Sequence, residues 1–214
     1  MFDRASYLVT LFTTIGASVT SCWGLISNNH ILLVAATLMA TTSDVIYNII
    51  KEYFSNKKIP LLYLFYYLLI IICVPLIVSI TIGYLFELFK KKYPKMELDI
   101  PSNDITIMLN PGGKSGEIHP DNINANIIIP IIISLFASSF LPYAIKSNNT
   151  LLSVSVSIIL AFVTPLTVIG LLIGSNNFTK HEYNYKDYAV PITILCSNIF
   201  GISFFIFISF KYFN

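Results

Sequence analysis

A chain of 214 residues in which 55% are hydrophobic and 11% charged, with a mean hydropathy of +0.74, lies outside the soluble range, where about a quarter of residues carry charge. Thirteen Lys and Arg against eleven Asp and Glu leave a net charge of +2, too small and too scattered for a nucleic-acid surface, which excludes direct nucleic-acid binding. The cysteines, Cys22, Cys73 and Cys196, all fall inside apolar runs; their spacing suggests neither a disulfide framework nor a metal cluster, and they read as small apolar residues.

The opening "MFDRAS" runs into a Thr-rich apolar stretch without a small-residue cleavage site, so the first span is expected to stay in the mature protein. Crossing about 30 Å of hydrocarbon takes about 20 apolar residues. Runs of that order lie at 7–27, 31–50, 60–89, 124–145, 150–173 and 189–210. The expected fold is therefore an all-α polytopic membrane protein of about six transmembrane helices, with a small β-hairpin-containing extramembrane loop. It divides into a three-span segment at 1–89, the loop at 90–122 and a second three-span segment at 123–214.

The first two runs, parted only by "SNNH", read as a tight helical hairpin. On the second, Thr37, Thr41, Asp44 and Asn48 recur at helical spacing and form an intramembrane polar stripe; Thr10, Thr14, Ala17 and Ser21 make a comparable small, polar face on the first. The two faces are expected to pack together through hydroxyls and amides. Asp44 is singled out because an ionisable group at mid-span is costly unless paired or hydrated, so the stripe either bonds across a helix interface or lines a hydrated path.

Basic clusters, "KEYFSNKK" at 51–58 and "KKKYPK" at 90–95, flank the third run, whose centre holds Pro75. The run is too short to cross twice, so both clusters cannot obey the positive-inside rule. Termini in the cytoplasm put Lys51, Lys57 and Lys58 inside, where they can meet acidic headgroups or an acidic partner.

In the loop, "MLNPGGKSGEIHPDN" contains GGKSG, but Met108 stands where a phosphate-binding loop requires its first glycine, and Pro120 spoils the helix that should follow. Asn110, Pro111, Gly112 and Gly113 instead read as a turn between short strands, and so small a hairpin needs a partner surface. His119 with Asp121 and His181 with Glu182 lack any nucleophile or metal-ligand spacing, so no catalytic residue, cofactor or metal is assigned.

In the second half, Gly170 with Gly174 and Ser134 with Ser138 stand four apart, as helix-packing faces require. Together with the loop they favour a homo-oligomer in contact with membrane lipids.

A short, Ile- and Asn-rich polytopic chain without catalytic residues resembles the accessory membrane proteins of bacterial mobile islands, and is similar in size and character to the membrane subunits of the Kiwa antiphage defence family. That resemblance implies a non-enzymatic, oligomeric inner-membrane sensor or scaffold that responds to phage attachment and holds a soluble cytoplasmic effector; it transfers no individual residue. A small transporter or channel, and a membrane immunity protein against a pore-forming toxin, are the other classes compatible with these features.

Overall fold

The computed structural model describes residues 4–27, 29–40, 61–92, 123–146, 162–176 and 185–213, and among them the chain is entirely helical. The helices are α1 (Arg4–Ile26), α2 (His30–Met39), α3 (Leu61–Lys92), α4 (Ile123–Lys146), α5 (Val163–Asn176) and α6 (Tyr185–Phe213). The strands and the GGKSG turn expected in the 90–122 loop lie outside the described residues, except that 90–92 complete α3. The basic positions Lys51, Lys57 and Lys58 also lie outside them.

The "SNNH" hairpin forms as its turn chemistry dictates. The Asn29 side chain caps α2 by accepting from the Ile31 and Leu32 amides at 3.0 and 3.3 Å, satisfying donors that a helix start leaves orphaned. Its own amide donates back to the Gly24 carbonyl at 2.8 Å. A Cβ at Gly24 would stand 3.0 Å from Leu33 Cδ2, so the glycine sets how closely the two helices begin.

The residue pairs in contact fix the helix directions. Ala17 shares a buried cluster with Val163, Ser21 meets Thr167, and Leu25 lies in the cluster of Leu171 and Leu172, so α1 and α5 run parallel. Gly170 faces Leu76 and Ser79 while Gly174 faces Ile80, so α3 and α5 are parallel as well. Ser134 reaches Asn198 and Ser138 reaches Gly201, which makes α4 and α6 parallel. Gly16 meets Met39 whereas Gly24 meets Leu32 and Leu33, so α2 runs against α1. Tyr188 at the start of α6 packs on the cluster holding Leu171 and Leu172 from the end of α5, so α6 begins where α5 ends. Short helix α5 is the hub, touching α1, α2, α3 and α6, while α4 packs chiefly on α6.

The interior mixes aliphatic side chains such as Leu25, Leu171 and Ile202 with many hydroxyls, while large apolar side chains crowd the exterior. Thr14, Ser18, Ser21, Ser79, Ser134, Ser138, Thr167 and Asn198 are buried, whereas Phe12, Trp23, Ile77, Ile132, Phe136 and Phe200 point outward, Phe136 with 68% of its surface free. Soluble domains rarely leave so much contiguous apolar surface open. Two helices are long and apolar enough to cross a membrane, through Leu8–Ile26 and Leu69–Phe89; shorter apolar stretches lie at Ile131–Phe140, Val163–Ser175 and Pro191–Phe205.

Two of the expected spans differ from the structure. The run at 31–50 is not one helix: α2 ends at Met39, and Ala40 is extended at φ −84° and ψ 103°. The run at 150–173 is not one helix either, because Phe162 stands outside α5, which then continues to Asn176. Pro165 supplies a reason for the second break. It has no amide to donate and its ring clashes with the preceding turn, so it fits in the first turn of a new helix and not inside a continuing one. Pro75, by contrast, is carried within the unbroken α3, where the hydroxyl of Ser79 donates to the Pro75 carbonyl at 2.6 Å.

Candidate functional site: helix contacts and a buried hydroxyl lane

The sequence-derived packing residues sit at the two closest helix contacts. Where α3 crosses α5, Gly170 and Gly174 face Ser79, Leu76 and Ile80, and Gly83 returns the contact from α3. A Cβ at Gly170 would overlap Ser79 Oγ, one at Gly174 would overlap the Ile80 carbonyl, and one at Gly83 would come within 2.9 Å of the Leu171 carbonyl. Backbone therefore lies against backbone, as small residues permit where dispersion is the main attraction between helices. At the α4–α6 contact, Ser134 donates its hydroxyl to Asn198 Oδ1 at 2.7 Å, and Ser138 donates to the Ser134 carbonyl at 2.7 Å. Gly201 gives Ser138 room, since a Cβ there would lie 2.5 Å from its hydroxyl oxygen.

Of the polar stripe expected from the sequence, Thr37 is buried and donates to the Val34 carbonyl of its own helix at 2.7 Å. Thr41, Asp44 and Asn48 lie outside the described residues, beyond the Ala40 break. The α1 face comprising Thr10, Thr14, Ala17 and Ser21 is buried, but the hydroxyl bond it makes to another helix goes to α5: Ser21 Oγ lies 2.8 Å from Thr167 Oγ1.

The hydroxyl protons along this face can be traced one by one. Thr14 donates to the Thr10 carbonyl and Ser18 to the Thr14 carbonyl, both at 2.6 Å. Thr167 donates to the Thr164 carbonyl at 2.8 Å. A hydroxyl has one proton; where that of Thr167 goes to the Thr164 carbonyl, Ser21 donates in their shared bond, and either atom can be the donor by geometry. Four buried hydroxyls, those of Thr14, Ser18, Ser21 and Thr167, thus all have hydrogen-bond partners. Thr164 differs, for its Oγ1 is buried and has no hydrogen-bond partner, in a residue only 7% exposed. It shares a helical stripe with Val168 and Leu171, which pack with Cys22 and Leu25 of α1, so it stands on the α1 side of α5.

Two helix ends meet at this level. Ala40, the cap of α2, and Val163, the first residue of α5, share one buried cluster with Ala17, and Ala17 is the midpoint of the apolar span Leu8–Ile26. Sequence reasoning missed Thr164, Thr167 and Asn198. It also passed over Glu87, a buried carboxyl within the apolar stretch Leu69–Phe89, whose signal was a lone acid in "GYLFELF". Among the described residues, no group of three or more His, Cys, Asp or Glu side chains is placed to hold a metal ion. No protein-family model matches this chain, and comparison with curated proteins and with solved structures finds no match either.

Proposed function

We propose that this chain is a multi-pass protein of a bacterial inner membrane that works by binding, as a non-enzymatic sensor or scaffold. It assembles with copies of itself and recruits a soluble cytoplasmic effector, in the antiphage setting that the sequence resemblance implies. The observation that supports the membrane part is the inverted distribution of side chains, with hydroxyls and an amide buried between helices and Phe, Ile and Trp turned outward. Such a distribution is costly in water and favourable in hydrocarbon, where buried polar groups bond across helices and apolar ones face lipid. The alternating helix directions support the same reading, since serial crossings must alternate.

Binding in place of catalysis is supported by the sequence, whose His and carboxyl pairs lack a nucleophile or ligand spacing. The basic segment at 51–58 is the cytoplasmic contact in this reading. Cross-linking in native membranes followed by mass measurement in mild detergent is expected to give a defined multimer, and Lys51, Lys57 and Lys58 changed together to Glu are expected to lose the co-purifying effector without changing the multimer's mass. A monomer that still protects cells from phage would refute the assembly, and unchanged co-purification would refute the assigned contact. The transporter or channel class remains as a second reading, favoured by the two helix ends that meet at the middle of α1.

A further inference from the structure

One side of α6 is spent on α4 and the other is open. Asn198 accepts the Ser134 hydroxyl and Gly201 makes room for Ser138, with Ile202 beside them wholly buried. On the far side Thr193, Cys196, Phe200, Ser203 and Phe207 follow one another at alternating steps of three and four residues, and none of them is buried. Phe200 has 60% of its surface free and Phe207 49%. Steps of three and four average about 3.5 residues, the period at which a second helix can follow a seam along its length. The five residues therefore form a helix-pairing seam with no helix of the same chain on it.

The two hydroxyls on the seam say what covers it. Elsewhere on the outer surface Thr13, Thr20, Thr81 and Ser139 each donate to a carbonyl of their own helix, at 2.8, 2.8, 2.8 and 2.6 Å. The hydroxyls of Thr193 and Ser203 have no hydrogen-bond partner among the described residues. Both lie within the apolar stretch Pro191–Phe205, where lipid chains offer them none. A hydroxyl is donor and acceptor at once, so another hydroxyl matches it. Copies of one chain in one membrane share their direction, and a two-fold axis along the membrane normal sets each residue of the seam against its own counterpart. Thr193 then meets Thr193 and Ser203 meets Ser203, with Phe200 and Phe207 supplying apolar area on either side of Ser203.

We propose that two copies of this chain pair in parallel along this seam of α6, with Thr193 and Ser203 each bonded to its counterpart and Phe200 and Phe207 packed between the helices. The pairing rests on the reading of the chain as a self-assembling membrane protein and names the face it uses.

The test is oxidative cross-linking in native membranes by copper phenanthroline, which takes two electrons and two protons from a pair of thiols, in a chain whose Cys22 and Cys73 are replaced by alanine. Cys196 is expected to give a disulfide-linked species of twice the chain's mass. With Cys196 replaced as well, Ser203→Cys is expected to give the same species and Phe136→Cys, on the outward side of α4, is not. Dissociation on dilution in mild detergent supplies a second readout: Thr193→Val and Ser203→Ala are each expected to raise the dissociation constant of the pair about threefold, the effect of one hydrogen bond between membrane helices. Loss of the seam cross-links while the protein remains a multimer in detergent would overturn the seam and keep self-assembly; a monomer in detergent would overturn both. A cross-link to a chain of different mass, equal linking through Phe136→Cys, or a pair whose dissociation neither hydroxyl variant changes would also overturn the proposal.

Discussion

Gly174→Ala is expected to be the most damaging Gly→Ala change among the described glycines. The added Cβ would overlap the Ile80 carbonyl and lie 3.1 Å from the Ile80 carbonyl carbon and Cα, all backbone atoms that no rotamer change can move. Overpacking of a tight contact costs roughly 1–3 kcal/mol and sometimes more. Here, where α3 must shift bodily, a loss of about 3 kcal/mol is expected. Gly170→Ala provides the comparison, because its nearest obstacle is the Ser79 side chain. Removing that side chain with Ser79→Gly is expected to recover part of the loss in Gly170→Ala and none of it in Gly174→Ala. Unfolding midpoints of the two single and two double variants in detergent would measure this. Equal rescue of both glycines would mean that the α3–α5 contact is looser than described.

The second large effect is at the outer surface. Phe136 lies on α4, in the apolar stretch Ile131–Phe140, with 68% of its surface free. On a water-facing surface Phe136→Arg would change stability by no more than about 0.5 kcal/mol and would improve solubility. In hydrocarbon an arginine near the centre of a helix costs about 2.5–3.5 kcal/mol on insertion scales. The variant is therefore expected to insert poorly and to be lost from the membrane fraction, while Phe136→Leu is expected to accumulate normally and Tyr143→Arg, nearer the end of α4 where its side chain can snorkel, to be milder. Quantitative immunoblots of membrane fractions would distinguish the cases. Higher yield of soluble Phe136→Arg protein would contradict a lipid-facing α4.

Much of the architecture can be traced to sequence because hydrophobic run length is a strong signal. The runs at 7–27, 60–89, 124–145 and 189–210 coincide with α1, α3, α4 and α6 to within a few residues, and "SNNH" marks its turn through the capping amide of Asn29. The four-residue spacing of Gly170 with Gly174 and of Ser134 with Ser138 marks close-packed faces, since only small side chains let backbones approach. The helix breaks were harder to read. Ala40 and Phe162 are apolar residues within apolar runs, so a signal built on run length passes over them; the hydroxyl-rich "TTS" after Ala40 and Pro165 after Phe162 are the local clues, because such groups compete with helical bonds or cannot form them. Choice of partner was beyond reach altogether. Ser21 and Thr167 are 146 positions apart, and many hydroxyls in the chain could have been matched with either. Nor does one sequence reveal that, among the described residues, the buried Thr164 hydroxyl would be left without a bond.

In the proposed function the chain threads the membrane repeatedly with alternating direction. Single cysteines introduced at Ser27, Ser55, Ser115, Ser147 and Thr179, in a chain whose Cys22, Cys73 and Cys196 are replaced by alanine, can be tested in intact spheroplasts with a membrane-impermeant maleimide and again after lysis. Ser27→Cys, Ser115→Cys and Thr179→Cys are expected to react in intact spheroplasts, and Ser55→Cys and Ser147→Cys only once the membrane is opened. Labelling of all five before lysis, or of none, would contradict it.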